Sequence, residues 1–195
     1  MGKASEERPW TVEEFLNWVQ HQDQKWELVR GFPQLKFMAG GKRRHHDVAG
    51  NAYFAIRNRL TAPCRPYTAD MAVRTTESQT RFPDVVVDCG KRDPEDLSAA
   101  EPTLIVEVLS SRTRAFDLTD KLAEYKAVPS IRYILLVEAG DCAVAVHERS
   151  PDGWTKTYYN DPSDVIDMPA LGVHLPLGEL YEDVQLPPRL KVIRK

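Results

Sequence analysis

The chain has 195 residues, a formal net charge of −3, and 42% hydrophobic and 28% charged residues. That composition suits a single folded domain with a sizeable core and argues against wholesale disorder. No apolar run approaches the roughly 18–20 residues of a membrane span, the N-terminal MGKASEERPW lacks the apolar centre of a signal peptide, and the mild acidity weighs against a globally basic nucleic-acid binder.

Residues 1–10 read as a flexible lead-in. Thr11 is a candidate N-cap, with Glu14 completing a capping box and Val12, Phe15, Leu16 and Val19 at helical spacing. Trp26 to Arg30 alternates like a strand, with Glu27 and Val29 on one face and Trp26, Leu28 and Arg30 on the other. Gly31 and Pro33 turn the chain, and Gln34 to Met38 returns as a second hairpin arm.

Ala39 to Asp47, AGGKRRHHD, reads as a flexible basic loop that opens a helix carrying Val48, Ala52, Ala55, Ile56 and Leu60 inward. Cys64 to Met71 and Val73 to Thr75 are strand candidates, and Thr76 to Thr80 reads as a polar turn. Asp84 opens the short apolar strand Val85-Val86-Val87. The three cysteines, Cys64, Cys89 and Cys142, are odd in number, widely spaced and without a CxxC pair. Zinc and a disulfide framework therefore lose support, and a reduced, cytoplasmic setting is expected.

Pro102 to Lys126 is the most informative stretch. Leu104-Ile105-Val106 and Val108-Leu109 make a buried strand with one carboxylate, Glu107, inside it. A buried acid needs a partner or a metal. Ser110 to Arg114 turn the chain into a helix bearing Asp117, Lys121 and Glu124 near one face and Leu118, Leu122 and Tyr125 near another. Ile131 to Val137 is another strand, Ala143–Glu148 and Trp154–Tyr159 form a hairpin, Ile166 to Leu175 is a short edge strand, and Leu177 to Tyr181 is a helical turn. No repeat or linker divides residues 11–186, so one domain is expected, with 187–195 as a tail.

Glu27, Asp84 and Glu107 are three acids in strand-like apolar surroundings. Converging carboxylates repel unless a proton or divalent cation intervenes, and an oxygen-only set suits Mg²⁺ or Mn²⁺. Lys121 is the candidate ammonium for orienting a water or contacting phosphate. Each residue also has a plainer role. Glu27 could pair with Lys25 or Arg30, Asp84 could cap the turn after Pro83, Glu107 could pair with Arg114, and Lys121 could be a solvated helix lysine. The adjacent histidines His45 and His46 diverge in direction, so phosphate contact suits this basic loop better than metal binding. Among the four tryptophans, core or interface roles outweigh base stacking. The absence of GxxxxGK[ST] and GxGxxG removes local support for nucleotide hydrolysis or dinucleotide binding.

The order WELVRG, PDVVV, LIVEVLSSRTRAFDLTDKLAEY and IRYILLVE resembles the Uma-two family of restriction-endonuclease-like proteins, part of the PD-(D/E)XK nuclease superfamily. The similarity runs from about Thr11 to about Leu186, and its most specific part is EVLS-x-x-TR-x-x-D-x-x-x-K-x-x-x-Y. The resemblance implies an α/β fold with a restriction-endonuclease-like core, its mixed central β-sheet flanked by helices. It makes Asp84 and Glu107 metal ligands, with Glu27 a supporting acid in the catalytic set. The superfamily's usual lysine position, two residues after the second acid, holds Leu109, and the lysine looks migrated to Lys121. His46 matches a position often held by histidine in the family's helix before the core, and is expected to contact phosphate or an acid. With Arg43, Arg44, Arg112 and Arg114 it makes up the expected substrate-binding set.

The expected activity is Mg²⁺-dependent endonucleolytic hydrolysis of DNA, with Mn²⁺ as a substitute and a homodimer as the assembly. The alternative is a non-catalytic nucleic-acid-binding or assembly module that keeps the fold. A third reading is a metal-dependent hydrolase of a small phosphoester.

Overall fold

The computed structural model describes residues 8–36, 42–109 and 117–186. The N-terminal part builds a four-stranded sheet. Helix α1 (Val12–Val19) carries the expected capping box, in which Glu14 N donates to Thr11 Oγ1 at 3.2 Å and Thr11 N donates to the Glu14 carboxylate at 2.9 Å. Its Val12, Phe15 and Leu16 pack on Leu28, and Trp10, Trp18 and Trp26 stack edge-on around them. Strands β1 (Trp26–Val29) and β2 (Phe32–Leu35) form the hairpin. Its two-residue turn puts both Arg30 and Gly31 at positive φ, 52° and 80°, the backbone that matches the right-handed twist of paired strands. A Cβ on Gly31 would meet Pro9 at 2.5 Å, so glycine is also required sterically.

Helix α2 (Arg43–Arg57) buries Val48, Ala52, Ala55 and Ile56, as the apolar spacing predicts. It begins two residues before His45, so Arg43, Arg44, His45 and His46 are helical rather than part of a basic loop. Strands β3 (Arg65–Thr68) and β4 (Val73–Thr76) follow. The end of the expected polar turn is instead the start of β5 (Gln79–Arg81), which pairs with both β1 and β4 and completes the order β2-β1-β5-β4. Its Thr80 and Arg81 are buried, and a three-residue strand of polar residues leaves little periodicity to read.

The second sheet has six strands in the order β10-β9-β8-β7-β6-β3. These are β3, β6 (Val85–Asp88), β7 (Pro102–Leu109), β8 (Tyr133–Glu138), β9 (Val144–Ser150) and β10 (Gly153–Tyr159). The β7–β8 pair is parallel and the other pairs antiparallel, giving the expected mixed sheet. Between β7 and β8 run a π-helical turn (Asp117–Lys121) and a short helix α3 (Leu122–Ala127). The expected edge strand over residues 166–175 is a small hairpin of its own, β11 (Val165–Met168) against β12 (Val173–Pro176), followed by a 3₁₀ turn (Leu177–Tyr181).

All eight residues of β7 are buried, because both faces of the six-stranded sheet are covered. Leu104, Val106 and Val108 pack with α2 on one side, and Ile105 and Leu109 pack with Tyr125 of α3 on the other. The sequence argued against disulfides, yet Cys64 and Cys89 are bonded. The reason is register: Arg65 faces Asp88 across β3 and β6, so the cysteines flanking that pair are also opposite each other. Their distance of 25 residues along the chain hides this.

His147 on β9 is 3% exposed, and neither ring nitrogen has a hydrogen-bond partner among the described residues. Burial, with Lys126 of α3 and Lys156 of β10 nearby, pushes its pKa down to about 4. The facing residue on β8 is the apolar Ile134. An unfolded histidine titrates near 6.5, so between these values the unfolded chain binds the additional proton. Stability is therefore full above about pH 6.5 and falls as the pH drops towards about 4. Urea midpoints at about pH 7 and about pH 4.5 should differ less in His147→Phe than in the parent protein, and equal differences would refute this.

Candidate active site

The site grows from Glu107, the one charge on β7. It lies on the face shared with Tyr125, whose hydroxyl donates to Glu107 Oε1 at 2.7 Å. Lys121 Nζ stands 3.5 Å from the same oxygen. Both donors come from the helical segment between β7 and β8, four residues apart and so on one side of it. Burial, reinforced by the negative charge of Glu107, raises the Tyr125 phenol well above its ordinary range, so it stays protonated as a donor.

Glu27 approaches from the other sheet. Its Oε1 lies 3.4 Å from Lys121 Nζ, so one ammonium stands between two buried carboxylates. Arg81 Nη1 donates to Glu27 Oε2 at 2.9 Å, and Arg81 Nε and Nη2 donate to Glu124 at 2.8 and 2.6 Å. Lys36 Nζ is 3.7 Å from Glu27 Oε1 and donates to the Phe82 carbonyl at 2.6 Å. Burial works to raise the Glu27 pKa, but Lys121, Lys36 and Arg81 outweigh it and hold the group below its ordinary value.

Asp84 enters from the edge of β6. Val85 pairs with Val106, so one further step of the register puts Asp84 opposite Glu107. Asp84 Oδ2 accepts from Val108 N at 2.7 Å, which ties it to the strand that carries Glu107. Its Oδ1 is 3.3 Å from His45 Nε2. The two groups stabilise each other's charge. The hydrogen bond to Asp84 raises the His45 pKa against burial, while His45 overcomes burial to keep the Asp84 carboxyl low.

Glu27, Asp84, Glu107 and Lys121 are therefore drawn into one neighbourhood from four separate stretches of chain. Leu109, at the expected lysine position, is buried at 3% among apolar residues, and Lys121 supplies the ammonium beside Glu107 instead. The histidine that reaches the acids is His45, while His46 is exposed on the next position of α2. Arg43 is exposed and Arg44 half-buried on the same first turn. Arg112 and Arg114 lie outside the described residues. Among the described residues, no group of three or more His, Cys, Asp or Glu side chains is placed to hold a metal ion.

Arg81 and Lys36 escaped the sequence reading, while Tyr125 and His45 entered it only as an apolar-face residue and as part of a basic loop. The one available signal was for Tyr125, a hydroxyl on an otherwise apolar helix face, four residues after the lysine. Arg81 sits in a strand that the sequence concealed, and Lys36 lies just past the hairpin arm that returns it to Glu27.

A profile of the Uma2 family, described as "Putative restriction endonuclease", matches residues 12–178, a span holding every acid and base of the site. The chain belongs to the Uma2 family. An uncharacterized Synechocystis relative, slr1290, is 28% identical over 173 residues, covering 87% of this chain and 90% of that protein. A second from the same organism, sll1609, is 27% identical over 135 residues, covering 66% of this chain and 74% of its own length. The crystal structure of a "putative nuclease belonging to DUF820" from Anabaena variabilis matches with a TM-score of 0.66 at 20% identity, covering 91% of this chain and all of that one. That likeness establishes the fold: the Uma2 chain has a mixed α/β, restriction-endonuclease-like architecture. Among the described residues, no helix is long and apolar enough to cross a membrane.

Proposed function

We propose that this Uma2 protein is a Mg²⁺-dependent endonuclease that hydrolyses phosphodiester bonds in DNA. The observation that carries the reading is the placement of one ammonium, Lys121, between the buried carboxylates of Glu27 and Glu107, at 3.4 and 3.5 Å. Asp84 stands opposite Glu107 across the strand pair. A lone structural ion pair would need one acid, whereas this arrangement keeps several carboxylates ionised together at a cost in desolvation.

The donor chemistry suits a hard cation held by two carboxylates, Asp84 and Glu107, with waters and substrate phosphate completing the shell. Glu27 fits a supporting role better than a direct one, since Arg81 already holds its Oε2. Its buried Oε1 accepts no hydrogen bond among the described residues, which leaves an acceptor for a water. When bound, the cation would polarise a phosphoryl oxygen and acidify a water for in-line attack. Tyr125 fixes the Glu107 carboxylate, and the Val108 amide with His45 fixes Asp84. Lys121 would orient the attacking water or balance the charge that builds on the phosphate. Arg43 and His46, exposed on the first turn of α2 next to His45, would contact phosphate in this reading.

The test is cleavage of plasmid and linear DNA by the purified protein at low salt, with Mg²⁺, Mn²⁺ or excess chelator. Cleavage that chelator stops supports the reading, and no cleavage with either metal overturns it. Lys121→Gln should lower the cleavage rate about 100-fold while leaving DNA affinity within about threefold, as expected for a group that acts mainly on the transition state. Equal loss of affinity and rate would instead make Lys121 a binding residue. A homodimer belongs to the same proposal, because two-fold sites suit a two-stranded substrate, and sedimentation reads it directly.

The rival is a non-catalytic nucleic-acid-binding or assembly module. It draws support from the three cations already gathered on Glu27. Calorimetric titration with Mn²⁺ separates the two, since a module without a working site gives no heat that depends on Asp84 and Glu107.

A further inference from the structure

At the far end of α3 from the site, two lysines stand near a buried, neutral histidine, His147. Lys126 is half-buried, and burial together with Lys156 lowers its pKa. Lys156 is exposed on β10, directly opposite His147 of β9. Lys156 thus sits across the strand pair from the buried imidazole of His147, whose pKa the charges of both lysines help to lower. Among the described residues neither lysine has an ion pair. Mutual repulsion of this kind is unfavourable in the free protein, and an anion would relieve it.

The surface around the three is built rather than incidental. Arg149 donates to the carbonyls of Lys126, Val128 and Ile131 at 2.7–2.8 Å, which fastens the end of α3 to β9. Trp154 lies under both Arg149, at 4.5 Å, and Lys126, at 5.6 Å, and Lys156 lies over the Tyr158 ring at 4.4 Å. Tyr158 is itself 70% exposed. Cations held in place on aromatic rings beside an exposed ring form a surface suited to a phosphate backbone with bases alongside it.

Taking the nuclease reading as its basis, we infer that Lys126 and Lys156 form a second phosphate-contact site, which holds the nucleic-acid strand beyond the cleavage site. Lys121 and Lys126 are five residues apart on one helical segment, a rise of about 7.5 Å. That is on the order of one phosphate-to-phosphate spacing along a strand, which exceeds the axial rise of about 3.4 Å per nucleotide. A strand with one phosphate at the acids would therefore bring a nearby phosphate over the end of α3.

The test measures binding of a fluorescent 20-base-pair duplex by anisotropy in excess chelator, over a series of salt concentrations. Lys126→Ala with Lys156→Ala should weaken binding at least tenfold at low salt. It should also reduce the slope of log K against log salt by about 1.8, two phosphate contacts at about 0.9 each. Lys126→Arg with Lys156→Arg should keep the slope. Hydrolysis of a small model diester should be unchanged in both variants, which also reports that they are folded. An unchanged slope in the alanine variant overturns this site while leaving the nuclease reading intact. A parent protein that binds no duplex overturns both. Binding to anionic vesicles that needs these lysines, with duplex affinity independent of them, would reassign the surface to a membrane.

Discussion

Asp84→Asn and Glu107→Gln are each expected to reduce metal-dependent DNA cleavage by about 10³-fold or more, while the protein stays folded. The first half follows from chemistry. If two carboxylates carry the cation, neutralising either one removes several kcal/mol of transition-state stabilisation, and each 1.36 kcal/mol is a factor of ten in rate. The second half follows from geometry. Asn at position 84 keeps an oxygen to accept from Val108 N, and Gln at position 107 keeps an oxygen for the Tyr125 hydroxyl. Denaturant midpoints should therefore stay close to the parent's, with the change below about 2 kcal/mol. Cleavage that persists at the parent rate in either variant would assign the activity to other residues. Collapse of the fold would instead make these acids structural.

The largest effect on stability is expected at Arg81. Its side chain is 1% exposed and holds Glu27 and Glu124 together, with Thr75 and Gln79 also donating to Glu124 at 3.1 and 2.9 Å. Arg81→Met fits the apolar stem but leaves Glu124 without its paired arginine and Glu27 with only Lys121 and Lys36 beside it among the described residues. Removing one partner of a buried pair costs about 3–5 kcal/mol, far more than an exposed pair contributes. Adding Glu27→Gln and Glu124→Gln to Arg81→Met should restore part of the loss, because the uncompensated charges are then gone. Urea unfolding of the two variants reads both effects. A loss below about 1 kcal/mol for Arg81→Met would mean that the network is solvated enough to do without its arginine.

What could be read from the chain depended on how much periodicity each element carried. α1, α2 and the β7 strand have long apolar patterns and were legible to within a few residues. β5 was not, because its three polar residues resemble a turn until β1 and β4 are seen on either side of them. With β5 hidden, Arg81 was hidden too, and so was the reason why Glu27 can be buried at all. The acids were legible because a carboxylate within an apolar strand is costly and therefore conspicuous. Choosing between His45 and His46 needed the phase of α2 relative to Asp84, which adjacent identical residues cannot supply. The Cys64–Cys89 bond needed strand register, a quantity that cysteine counting ignores.

The central claim is that Asp84 and Glu107 jointly carry a divalent cation. Anomalous diffraction from crystals of the parent protein soaked in Mn²⁺ tests it most directly. A peak bonded to both carboxylates, and absent from crystals of Glu107→Gln, is the predicted result. Mn²⁺ bound elsewhere, or no peak at these acids with Lys121 and Tyr125 still closed on Glu107, would contradict it.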